Sequence, residues 1–147
     1  MGDIRAIRQQ DVAACVDLVH KNWGKKIARR FEVEVHHAFN PTLAWPPEYF
    51  VYVRSEGNIL GFAGMHQSWI MHGVWDLIWI NVDPNFQSSG IGTALTKARL
   101  KHIQGCKGTA VHLMTKNIKF FKKFDFKVSR KYGDWNLMTK QLRKVHL

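Results

Sequence analysis

The stretch Asp76–Leu95, DLIWINVDPNFQSSGIGTAL, decides how the rest of the chain is read. Its apolar run, Leu77 to Val82, is strand-like and ends at the breaker pair Asp83-Pro84. A short polar segment then carries Gln87, Gly90 and Gly92 into Thr93-Ala94-Leu95, where a helical pattern begins. A strand, a glycine-bearing turn and a helix N-terminus make an anion site. Backbone N–H groups without helical partners converge there, the helix dipole adds positive potential, and glycine lets a ligand approach the backbone. Two glycines one residue apart would equally suit a hairpin. Their place between a strand and a helix is what a phosphate-cradling loop requires.

The same loop restricts the ligand. No GxxxxGK[ST] run occurs, which argues against a P-loop nucleoside triphosphatase. A dinucleotide fingerprint would place GxGxxG after the first strand, with an acidic residue about 20 positions later. Here the spacing is QxxGxG, late in the chain.

Outward from this stretch, Ile4 to Arg8 reads as a strand and Asp11 to Asn22 as a helix, with Asp11 as N-cap. Trp23 to Phe39 reads as a second helix, its apolar stripe formed by Ile27, Phe31, Val35 and Phe39 at four-residue spacing. Asn40-Pro41 and Pro46-Pro47 break the chain into a loop carrying Trp45. Tyr49–Arg54 and Ile59–Met65 flank Ser55-Glu56-Gly57-Asn58 as a β-hairpin, and a turn at His72-Gly73 leads into the strand Val74–Val82. A helix from Ile91 to Ile103, a buried strand Ala110–Met114, a short helix Ile118–Lys123 and two closing strands complete the order. That order predicts an α/β (α+β) fold: a mixed, mostly antiparallel sheet with a central parallel pair, Val74–Val82 and Ala110–Met114, flanked by helices. Residues 1–147 are expected to form one domain.

With 46% hydrophobic residues, the composition is that of a globular protein. No apolar run reaches membrane-span length, so no membrane partner is expected. The polar start MGDIRAIRQQD is unlike a secretory signal, and Cys15 and Cys106 suit neither a disulfide framework nor a zinc site. Both read as reduced core residues of a cytoplasmic protein. The eight histidines, His36-His37 among them, show no metal-binding spacing, and no metal is expected. A net charge of +11 is concentrated in Lys25–Arg30, Lys97–Lys107, Lys116–Lys131 and Lys140–Lys144. Such a surface suits an anionic cosubstrate, an acidic protein or nucleic acid, and equally a set of solvated helix faces.

The loop Gln87-Ser88-Ser89-Gly90-Ile91-Gly92, led in by Val82-Asp83-Pro84, resembles the acyl-CoA loop [RQ]xxGx[GA] of the GNAT superfamily of N-acetyltransferases. Three further segments resemble that superfamily in the correct order. IRAIRQQDVAACVDLV (Ile4–Val19) is similar to its first strand and helix, IKFFKKFDFKV (Ile118–Val128) to its "FYEKLGF" segment, and DWNLMTKQL (Asp134–Leu142) to its closing strand. The resemblance implies acetyl-CoA as cosubstrate. It implies pyrophosphate contacts from Gln87, Ser88, Ser89, Gly90, Ile91, Gly92 and Thr93. It also implies main-chain contacts to the pantetheine and thioester from Ile80, Asn81 and Val82, at a bulge where the central strands splay. Asn117 sits where the family often contacts the pantetheine arm, although a turn-forming asparagine would look the same.

Acyl transfer to an amine needs a base, since an ammonium has no lone pair, and benefits from an acid that protonates the departing thiolate. Asp76 stands near the family's glutamate base and is one methylene shorter, which favours a water relay. An exposed aspartate past a turn is the competing reading. Phe121 occupies the slot where the family often has a tyrosine acid, expected beside the thioester sulfur, and phenylalanine has no proton to give. Either the thiolate leaves unassisted, or Tyr132 or a water protonates it; a third alternative is that acyl transfer has been lost. Trp45 is the candidate to line the acceptor pocket. The expectation is an N-acetyltransferase acting on a primary amine of a small molecule or protein, as monomer or homodimer. The alternative is a binding protein of the same fold that holds nucleic acid or an acidic partner.

Overall fold

The computed structural model describes residues 2–143. Lys144, the last member of the C-terminal basic cluster, lies outside them. The elements run β1 (Gly2–Ala6), α1 (Val12–Trp23), α2 (Lys25–Val35), β2 (Glu48–Arg54), β3 (Ile59–Gln67), β4 (Val74–Val82), α3 (Ile91–Gly105), β5 (Ala110–Thr115), α4 (Ile118–Lys122), β6 (Lys127–Tyr132) and β7 (Trp135–Gln141). The strands form one sheet in the order β1-β2-β3-β4-β5-β7-β6, with β4 and β5 parallel. The expected mixed sheet is therefore present.

The chain divides into two compact units: residues 1–66 with 78–100, and residues 67–77 with 101–147. In the first, β1, β2 and β3 pair antiparallel. Its main core joins Cys15, Leu18 and Val19 of α1 with Phe31 and Val35 of α2 and with Val51 and Phe62 of the strands. Phe31 is the centre of this core: its ring lies 4.7 Å from Phe62 and 5.2 Å from Trp79. Truncating such a residue costs about 3–5 kcal/mol. A second cluster joins Leu60 and Ala63 of β3 to Ile91 and Leu95 of α3. Gly61 makes that approach possible, since a Cβ there would lie 2.9 Å from Ile91 and 3.1 Å from the Asn81 carbonyl.

In the second unit, the start of β4 pairs with β5 through Val74–Ala110, Trp75–Val111 and Asp76–His112. β5 then pairs along its whole length with β7, which also carries β6. Phe121 and Phe124, at α4, with Phe126, Val111, Leu113 and Met138 are among its buried apolar residues, as are Val74, Trp75 and Leu77 of β4 and Ile103.

Several expectations are corrected. The predicted second helix, Trp23–Phe39, is cut at Gly24, whose φ of 87° ends α1, and its last turn is a 3₁₀ turn, His36–Phe39. The first strand lies two residues earlier than expected. Asp11 makes no N-cap hydrogen bond for α1. Its buried carboxylate instead accepts two bonds from Arg5, at 2.6 and 3.0 Å, and one from the Arg8 N–H at 2.7 Å. Cys15 is buried, but Cys106 is exposed, its sulfur 3.7 Å from His102 Nε2.

Candidate active site

The loop after β4 is built by local polar chemistry within the first unit. The Asp83 N–H donates to the Leu60 carbonyl at 2.8 Å, and its side chain accepts from the Asn85 N–H at 2.9 Å. Pro84 opens a short 3₁₀ turn, and the Ser89 hydroxyl donates to the Phe86 carbonyl. Ser88 and Gly90 take left-handed φ values of 68° and 89°, which swing the backbone into α3. The first bond of that helix runs from the Ala94 N–H to the Gly90 carbonyl at 3.0 Å. The N–H groups of Ile91, Gly92 and Thr93 therefore precede any intrahelical acceptor and face the positive end of the dipole. Gln87, Ser88, Ser89 and Gly90 are exposed, and nothing lies within 4 Å of where a Gly90 Cβ would stand. Orphan donors, left-handed backbone and open space fit a pyrophosphate.

The Gln87 side chain does something the sequence did not indicate. Its Nε2 donates to the Asn22 side-chain oxygen (3.1 Å) and to the Val82 carbonyl (3.3 Å). Asn22, at the end of α1, donates in turn to the Val82 carbonyl (3.0 Å) and to Asn81 Oδ1 (3.3 Å). Both lone pairs of the Val82 carbonyl thus accept side-chain amides. Gln87 fixes the loop to the strand, and Asn22 is a supporting residue without a sequence signal.

Upstream, β4 is kinked. Trp79 has φ of 43°, a left-handed value that marks an irregularity inside β4, which runs on as strand to Val82. Two contacts hold the kink. The Trp79 indole donates to Glu34 of α2 at 2.5 Å, and Glu34 also pairs with Arg30 at 3.4 Å. On the residue before, the Ile78 carbonyl lies 3.5 Å from an Arg99 nitrogen that donates to the Gly64 carbonyl at 3.0 Å. Arg99 is 1% exposed, and burial pushes its guanidinium well below its usual range. Its charge is met by carbonyl dipoles and by Thr96 Oγ1 at 3.3 Å. Asn81 is buried, and Trp45, the expected acceptor-pocket residue, is 56% exposed in its own loop.

The second unit holds the other expected residues. Asp76 is partly buried in β4, and its parallel partner is His112. Asn117 serves as the N-cap of α4, accepting from the Phe120 N–H at 3.2 Å, so its side chain has the turn-forming role that competed in the sequence. The resemblance places Phe121 beside the thioester sulfur. It is 6% exposed and packs edge-on against Phe120 at 4.9 Å and Phe126 at 5.9 Å. Tyr132 ends β6 opposite Trp135 and is 56% exposed. Among the described residues, no cluster of three or more His, Cys, Asp or Glu is placed to hold a metal.

A seven-stranded, mostly antiparallel sheet with one parallel pair, and a loop with left-handed backbone leading into α3, define the class of fold. The profile of the acetyltransferase (GNAT) family matches residues 13–126. The chain belongs to the GNAT family. Solved structures agree in fold. A Desulfovibrio desulfuricans protein assigned to the GNAT acetyltransferases superposes with a TM-score of 0.85 at 18% identity, covering 97% of this chain and 100% of that one. The PaiA N-acetyltransferase of Thermoplasma acidophilum, in complex with coenzyme A, gives 0.76 at 15%, covering 96% and 99%. The ribosomal-protein-S18-alanine N-acetyltransferase of Escherichia coli gives 0.77 at 16%, covering 99% and 97%. None of the curated proteins matches the chain in sequence.

Proposed function

We propose that the chain is an acetyl-CoA-dependent N-acetyltransferase whose acceptor is a primary amine. The observation that carries this reading is the loop at Gln87–Thr93, with left-handed Ser88 and Gly90 leading to three orphan N–H groups at the start of α3. The cosubstrate supplies an activated acetyl thioester. The chain's own residues would do the rest. Main-chain groups of the kinked segment Ile80–Val82 orient the thioester and stabilise negative charge on its oxygen. Asp76 takes a proton from the acceptor ammonium, through water, so that the nitrogen lone pair is free to attack. With Phe121 buried and lacking a proton, Tyr132 or solvent protonates the thiolate as it leaves. Trp45, exposed on its loop, would line the acceptor side.

Turnover of acetyl-CoA, followed as free thiol against a panel of small amines, peptides with free N-termini and lysine-containing proteins, tests the reading. Acetylation of at least one class supports it. Tight CoA binding with no turnover across the panel supports a second reading, in which the fold is a binding protein. That second reading is favoured by the net charge of +11 and by the apolar residue in the acid slot.

A further inference from the structure

Residues 68–73, which join β3 to β4, carry three consecutive large apolar side chains into solvent: Trp69 is 81% exposed, Ile70 93% and Met71 52%. Single exposed apolar residues are ordinary, but a run of three at a loop tip is the kind of patch that marks a contact surface. The tip is fastened in place. The Ser68 N–H donates to the Val74 carbonyl at 2.8 Å, and the Ser68 hydroxyl accepts from the N–H groups of Ile70 and Met71 at 3.2 Å each. Gly73, at φ of 80°, closes the turn, and its carbonyl accepts from the Thr109 N–H at 2.8 Å and hydroxyl at 3.1 Å. A held tip presents these side chains without the ordering cost a mobile loop would incur on contact.

The surroundings are cationic. Thr109, which anchors the tip, also accepts from the N–H groups of Leu142 and Arg143. The register pairs Ala110 with Gln141 and Thr139 with Lys127. Lys107, Lys127, Lys140 and Arg143 therefore stand at the same end of this unit's strands as the tip, together with His72 and with Asp125, which lies 3.8 Å from Lys140. Over residues 67–77 and 101–143, eleven Lys and Arg face three Asp, a net charge of +8 in the described part of this unit. A lipid interface takes Trp at the headgroup level, Ile and Met just below it, and Lys and Arg against lipid phosphates.

We propose that the Trp69–Met71 tip and its basic surroundings dock the chain on an anionic lipid surface. This departs from the sequence expectation of no membrane partner. That expectation rested on the lack of a long apolar run, a criterion blind to a three-residue tip. The proposal is independent of acyl transfer. Its test is co-sedimentation of the full chain with vesicles of mixed phosphatidylglycerol and phosphatidylcholine, compared with phosphatidylcholine alone. Binding is expected only to the anionic vesicles, reduced roughly tenfold or more by Trp69→Ser with Ile70→Ser. It should also be weakened by Lys107→Glu with Arg143→Glu, and by roughly 1 M salt, where the screening length falls to about 3 Å. Because all four side chains are replaced at surface positions, circular dichroism and thermal melts of the variants should match the parent. No binding to anionic vesicles overturns the proposal. So does binding that the Trp69/Ile70 variant retains in full, which would reduce the face to general cation attraction. A dimer in light scattering that this variant abolishes would assign the tip to a second copy, and equally overturn it.

Discussion

At the residue scale, Gly90 has a role that can be separated into shape and charge. Its φ of 89° is costly for other residues, and the space beside it is open. Gly90→Asn adds strain alone, whereas Gly90→Asp adds strain and a negative charge. We expect the Asp variant to lose about 1–3 kcal/mol more CoA affinity than the Asn variant, measured by calorimetry. Equal losses would show that no phosphate sits there. Asp11 gives a pH signature. The Arg5 guanidinium bound to it holds its carboxyl below the usual carboxylate range, helped by the Arg8 N–H and opposed by burial. A depressed folded-state value means the stabilisation is complete above the unfolded-state value of about 4 and is lost as pH falls through the folded one. Urea midpoints should therefore drop on acidification below about pH 4, and Asp11→Asn should flatten that limb while lowering stability near neutrality by about 1.5–3 kcal/mol, the scale of hydrogen bonds to a charged group.

Arg99 is a buried cation facing carbonyls in place of a carboxylate. Replacing it with an apolar residue of similar length relieves the cost of a buried charge but leaves the Gly64 carbonyl without its donor, so the two effects oppose each other. Arg99→Met should then melt near the parent, whereas Arg99→Ala should lose about 2–4 kcal/mol through the void it leaves. If Arg99 also steadies the Ile78–Trp79 kink, Arg99→Met will lower turnover at unchanged melting temperature.

At the scale of elements, β4 is legible to the residue because an apolar run lies between Gly73 and Asp83-Pro84, and both ends are set by backbone chemistry. The loop and the start of α3 are legible for the same reason. The kink at Trp79 is not, since tryptophan gives no sign of left-handed backbone and the contacts that hold it come from Glu34 and Arg99, 45 and 20 positions away in sequence. Gly24 is visible, yet the continuous stripe of Ile27, Phe31 and Val35 outweighs it when the sequence is read alone. The position of α4 is legible, but its facing is not: Phe121 turns inward. Phe121→Tyr should accordingly bury a hydroxyl against Phe120 and Phe126 and lower stability by about 1–3 kcal/mol in chemical denaturation. A fully stable variant with faster turnover would restore the reading that sets Phe121 beside the thioester sulfur.

At the scale of the whole molecule, charge is distributed unevenly along the chain, and the base needed for turnover is to be found among few acids. With 11 Asp and Glu against 22 Lys and Arg, removing one carboxylate barely changes the global field. A large kinetic effect of Asp76→Asn would therefore be local. We expect turnover to fall about 10²-fold or more, with CoA affinity preserved and the rise of rate with pH weakened. Wild-type rates between roughly pH 6 and 9 would remove Asp76 from the mechanism.

The amide pair Asn22 and Gln87 has one further consequence. Through the Val82 carbonyl, it joins the last turn of α1 to the loop that precedes α3. An anion that steadies the loop also steadies the helix end tied to it, because loosening either now means breaking the same bonds. Occupancy should be readable far from the phosphates, as slower hydrogen–deuterium exchange at His20–Trp23 when CoA is added. Asn22→Ala should uncouple the two, leaving the loop able to bind while α1 no longer registers it.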